Sequence, residues 1–180
     1  MSKKKVNNLF KYSVYLVILL VIIGLAYSVY VFKKSSSGEN SESFIVCKDE
    51  NNCIIALHIH SEVSIDVCSK QLDLPLEAGN KRGTHTHKER NILHFEEKLA
   101  YNNKTQKIID TEPLKLKNFF NHESVNMGFS NTCINDKCNN DLCDNTPSRV
   151  RMFVNDIENF QFHDYVWNDG DKIKITFGGE

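Results

Sequence analysis

The chain has 180 residues, room for one domain of ordinary size with appendages and too few for the large barrels in which His-x-His strands serve metal-dependent hydrolysis. Its net charge of −1 conceals an asymmetry: six of the 22 basic residues and none of the 23 acidic ones fall in residues 1–34, so the remainder is acidic, at −7. Such a domain excludes a nucleic-acid binder, which needs clustered Lys and Arg, and tolerates cations.

Residues 12–32 carry no charge, and at ~1.5 Å rise per residue they would span about 30 Å, the hydrocarbon thickness of a bilayer. Tyr12, Tyr15, Tyr27 and Tyr30 lie toward the ends, where aromatic rings suit the headgroup level. The run is longer than a signal-peptide core and ends in Tyr-Val-Phe-Lys-Lys without a small-residue cleavage site, so it predicts an uncleaved anchor. Lys3, Lys4, Lys5 and Lys11 precede it and only Lys33 and Lys34 follow. The more basic flank stays inside, which predicts a cytoplasmic tail (residues 1–11), a single-pass cell-membrane anchor (12–32), a Ser-rich flexible tether (33–44) and an outward-facing domain (45–180). Cysteine use agrees. Cys47, Cys53, Cys68, Cys133, Cys138 and Cys143 all follow the span, an even number in a compartment expected to be oxidising, and they lack the paired Cys-x-x-Cys of zinc ribbons. Disulfides are therefore expected; Cys47 and Cys53 could bridge locally or reach elsewhere, and Cys68 with one of the later cysteines would tie two segments together.

Within the domain, residues 44–47 predict a short strand. Residues 54–68 predict a second, with Ile55, Leu57 and Ile59 and then Val63, Ile65 and Val67 set against polar neighbours, and with a bulge-like phase change expected at Ser61-Glu62. Residues 71–76 alternate again and predict an edge strand that tolerates Pro75. Thr84-His85-Thr86-His87 and Ile92-Leu93-His94-Phe95-Glu96, joined by polar Lys88-Glu89-Arg90-Asn91, predict a hairpin. Apolar spacing over residues 114–125 predicts an amphipathic helix with Phe119 and Phe120 inward. Residues 131–148 hold three cysteines among Asn, Asp, Lys and Thr, with almost no hydrophobe: a covalently held loop. Residues 149–154 and 172–177 predict the closing strands, with turns at Asn155-Asp156 and Asp169-Gly170-Asp171. The order gives an α+β domain with a single helix on a mixed sheet, β-grasp-like, preceded by the transmembrane helix.

Five of the seven histidines lie between residues 55 and 96. In a strand, residues i and i+2 share a face, so His58 with His60 and His85 with His87 present imidazoles in pairs, and His94 can face the second pair across the hairpin. One His-x-His is commonplace on a solvent-facing strand; two such pairs and a third strand histidine point to a cluster of neutral imidazoles converging on one transition-metal ion, zinc or copper foremost. The pool is His58, His60, His85, His87 and His94, with Glu62 and Glu96 as further ligands or partners of the ligands. His122 and His163 stand apart. No acid or base at a diagnostic spacing identifies a reaction, so the sequence favours metal binding over catalysis, with a metal-free surface interaction module as the alternative; no protein partner is indicated.

The stretches His58-Ile59-His60, His85-Thr86-His87-Lys88, Asn91-Ile92-Leu93-His94-Phe95-Glu96, residues 114–120, Phe153-Val154-Asn155-Asp156 and Asp169-Gly170-Asp171-Lys172-Ile173 resemble, in order, the motifs of a family of exported or membrane-anchored domains found mainly in archaea and some bacteria. That family carries His-x-His, His-Thr-His-Asp, Gly-x-x-His-x-Glu, a Phe-Phe helix start, Val-Asn-Gly and Asp-Gly-Asp-x-Ile. The likeness covers nearly all of residues 53–178 and implies the fold and the histidine cluster rather than a reaction. Lys88 stands where the family has Asp, Asn91 and Asp156 where it has Gly, and the cysteine-rich segment is peculiar to this chain.

Overall fold

The computed structural model describes residues 12, 14–25, 27–28, 43–50 and 52–179. Contacts divide the chain between Asn40 and Ser41. Residues 14–25 and 27–28 are helical, and among the described residues no helix is long and apolar enough to cross a membrane. The rest of the expected span, the tail and most of the tether lie outside the described residues.

The domain is α+β. Its strands are β1 (Phe44–Asp49), β2 (Asn52–Val67), β3 (Lys70–Leu72), β4 (Thr84–Thr86), β5 (Ile92–Asn102), β6 (Lys107–Ile108), β7 (Cys133–Ile134), β8 (Lys137–Cys138), β9 (Leu142–Cys143), β10 (Thr146–Pro147), β11 (Arg149–Val154), β12 (Ile157–Glu158) and β13 (Lys172–Gly178). Nine of them form one mixed sheet in the order β12-β11-β13-β2-β5-β4, with β1 and β3 on β2 and β6 on β5. Strand β2 is its spine: antiparallel to β5 along ten residue pairs, from Cys53↔Tyr101 to Glu62↔Ile92, and parallel to β13 from Glu62 onward.

The pairing of β2 with β5 runs without a break through Ser61 and Glu62, which corrects the expected phase change. Ile55, Leu57, Ile59, Val63, Ile65 and Val67 are all odd-numbered and share one face, and Ser61 holds the inward position between them. A polar residue is tolerated there because its hydroxyl donates to the Asp171 carbonyl at 2.9 Å. Two other expectations are shortened. The strand over residues 71–76 is only Lys70–Leu72; the chain then leaves the sheet toward Pro75, and the Leu74 N–H is taken by the Asn91 side chain. The helix over residues 114–125 is a 3-10 turn, Glu112–Leu114, and one α turn, Lys117–Phe120. Beyond Phe120 the Ser124 hydroxyl and N–H bond to the His122 ring, and Asn126 turns left-handed at φ 47°. Phe119 and Phe120 are buried as expected.

One face of the sheet carries the core, with Ile59, Ile65, Leu93, Phe95, Met152, Ile173, Ile175 and Phe177 packed under Leu116, Phe119, Phe120 and Trp167. Disulfides Cys47–Cys53, Cys68–Cys143 and Cys133–Cys138 use all six cysteines. The second ties residues 131–148, which form the small hairpins β7-β8 and β9-β10, to the end of β2. Three disulfides fit an oxidising, extracellular setting.

Candidate metal centre

The opposite face is built from three neighbouring strands. Register places His60 directly across from His94, and His94 directly across from His85, so β2, β5 and β4 each contribute one imidazole to a single row. One step along, His58 faces Glu96. Directly opposed residues have Cβ atoms about 4.5–5.5 Å apart, and His58 and His87 extend the row by the period-two rule. The rings therefore touch: centroids lie 4.6 Å apart for His58–His60, 4.5 Å for His60–His94, 4.4 Å for His87–His94 and 4.7 Å for His85–His87.

The donors sort into two groups, His58, His60 and His94, and His85, His87 and Glu96, each with its ligand atoms within 4.8 Å of one another. In place of the expected single point of convergence, the donors form two adjacent groups. Glu96 falls among the candidate donors of the second group and also lies 3.1 Å from His58 Nε2 in the first. Glu62 is exposed and in neither group, and Lys88 is exposed. His122 pairs with Ser124, and His163 lies beside Asp164, both outside the groups.

Tautomers follow from partners. His85 Nδ1 lies 3.0 Å from the Gly83 carbonyl, which can only accept, so Nδ1 carries the proton and Nε2 carries the lone pair. That Nε2 accepts from His87 Nε2–H at 3.1 Å. Two imidazoles bound to one tetrahedral zinc at ~2.0–2.1 Å would hold their nitrogens about 3.3 Å apart, so an ion replacing that proton would need little movement of the rings. The backbone carbonyl on the far nitrogen is the support metal-bound histidines use to fix ring orientation.

His94, at the centre, is 2% exposed, and neither of its ring nitrogens has a hydrogen-bond partner. Burial, and after it the neighbouring imidazoles of His60, His87, His85 and His58, push its pKa down to about 3. The ring is neutral at pH 7 and keeps a lone pair available. A cleft of about 320 Å³ lined by Glu77, Ala78, Lys81, Thr86, His85, His87 and Glu96 opens onto the second group.

No protein-family model, curated protein or solved structure matches the chain.

Two supports were not legible beforehand as parts of the site. The edge of β2 between the end of β1 and the start of β13 is gripped by Asp169-Gly170-Asp171: the His60 N–H donates to Asp169 Oδ1 at 2.9 Å, and the His60 carbonyl accepts from Gly170 N–H at 2.7 Å. Asp171 is itself held, accepting from Tyr165 Oη, the Asn168 N–H and Asn155 Nδ2. The motif reads as a turn, and only the inward polar Ser61 signals a second strand of polar contacts there. On the other flank, the outer edge of β4 is covered by residues 77–80: Thr86 N–H donates to the Ala78 carbonyl at 2.8 Å and Asn80 N–H to the Thr84 carbonyl at 2.9 Å. Gly79, at φ +97°, permits this; a Cβ there would sit 2.6 Å from the Thr84 carbonyl oxygen.

Proposed function

We propose that the protein is a membrane-anchored, extracytoplasmic domain that binds a transition metal, zinc or copper, through His58, His60, His85, His87 and His94, for capture, sensing or structural purposes. The observation that carries the reading is the His85–His87 pair, whose Nε2 atoms lie 3.1 Å apart with the His85 lone pair turned inward by the Gly83 carbonyl. Imidazole nitrogen suits zinc, copper, nickel and iron and is a poor ligand for magnesium or calcium. Anchoring rests on the uncharged run over residues 12–32 and its basic flank, and the outward side is supported by the three disulfides. The motif order resembles that of a family of exported or membrane-anchored domains, which supports the same reading.

A second reading, a metal-dependent hydrolase, draws on the cleft beside His85, His87 and Glu96, which would give an ion there an open position for water.

The test is the metal content of the full chain purified without chelator, beside a His85→Ala/His87→Ala variant. The wild type is expected to retain zinc or copper and the variant to lose most of it. Equal metal in both removes the reading.

A further inference from the structure

Six donors converge on this face, and a tetrahedral ion takes four. Resting on the metal-binding reading above, we propose that the face is a two-ion centre, with His58, His60 and His94 holding one first-row transition-metal ion, His85 and His87 holding a second, and the Glu96 carboxylate bridging them.

Three features of the geometry carry this. The donors fall into two triads rather than one, each compact enough to surround an ion. A single tetrahedral ion takes four donors and so leaves two of the six outside its coordination. Glu96 is shared: it is grouped with His85 and His87, and its Oε1 lies 3.1 Å from His58 Nε2 in the other triad, so its two oxygens can serve one ion each. Bridged ions in two-metal sites lie roughly 3.5–4 Å apart, a distance the two oxygens of one carboxylate can span.

The ligand count also fixes the charge. Five neutral imidazoles and one carboxylate contribute a single negative charge against two divalent cations. The pair of ions would therefore complete its coordination with anions or hydroxide from solvent, and the second triad has room for them in the cleft lined by Glu77, Lys81 and Glu96. The ions themselves then form the most positive feature of an otherwise acidic domain.

The experiment is copper loading of the full chain, with bound metal counted after dialysis and the Cu(II) electron paramagnetic resonance signal integrated. Two equivalents per chain, with the integrated signal well below two spins because the bridged ions couple magnetically, is the expected result. In Glu96→Gln, folded as judged by circular dichroism, bound copper that remains should give an uncoupled mononuclear signal. His58→Ala is a second variant, at the half-buried end of the row, and should lower the stoichiometry to one. One equivalent in the wild type overturns the two-ion inference and leaves the metal-binding reading standing; two equivalents with a full two-spin, uncoupled signal also overturns it. No bound copper or zinc overturns both.

Discussion

Strand β5 has both faces buried over Leu93, His94 and Phe95, and the two faces are buried for opposite reasons. Leu93 and Phe95 meet hydrocarbon, the Trp167 ring lying edge-on to Phe95 at 6.5 Å, and their removal from water stabilises the fold directly. His94 meets four imidazoles, and its two ring nitrogens gain no hydrogen bond. A buried polar group without a partner costs about 1–3 kcal/mol, so the buried His94 ring is destabilising by itself and would become favourable if an ion used its lone pair.

The largest expected effect lies on the core face. Phe95→Ala should lower stability by about 3–5 kcal/mol, read from denaturant unfolding, and by the same amount with or without zinc. If zinc rescued the variant, the two faces would not be separable. Next is zinc itself. At a free concentration of 100 Kd for one site it should raise the unfolding free energy of the wild type by about 2.7 kcal/mol, and that of His85→Ala/His87→Ala by much less, as calorimetric melting would show.

How much of this division was visible in the chain depends on the kind of interaction. The histidine row was legible because strand periodicity fixes which residues share a face, and the hairpin over residues 84–96 follows from a polar turn between two alternating runs. The depth of β5 was not: it continues to Asn102 through Glu96, Glu97 and Lys98, whose charges read as the end of a strand but are exposed between buried Phe95 and buried Leu99 and Tyr101. The helix over residues 114–125 was overestimated because apolar spacing does not register that His122 and Ser124 bond to each other and that Asn126 adopts a positive φ. The phase change at Ser61 was an error of reading a polar residue as a slip in register, when its inward hydroxyl has a partner more than a hundred residues away. At Asn91 and Asp156, where the resembled family has Gly, φ is 61° and 67°, a conformation that Asn and Asp tolerate better than other side chains.

Acid should separate the faces further. Above pH 6.5, His94 is neutral whether the chain is folded or not and contributes no pH dependence. Below it, the unfolded chain takes up a proton that the folded ring, with its pKa lowered to about 3, refuses, so stability falls as pH drops from 6.5 toward 3. The slope from this group alone approaches about 1.4 kcal/mol per pH unit. Unfolding measured between pH 7 and 5 should show this component in the metal-free wild type and lack it in His94→Leu, a substitution the core face should not register. An identical slope in both would remove the claim that His94 is buried neutral.

The smallest effect is expected at Glu62. Its side chain is exposed and stands in neither ligand group, so Glu62→Gln should change stability by less than about 0.5 kcal/mol and leave metal content untouched. A loss of metal in this variant would mean that the site reaches farther along β2 than the two triads.

Crystals of the zinc-loaded chain, with data collected on both sides of the zinc absorption edge, test the central claim most directly. An anomalous peak about 2.0–2.1 Å from both His85 Nε2 and His87 Nε2 is the predicted result. No anomalous density among the five imidazoles, in crystals of protein exposed to excess zinc, would contradict it.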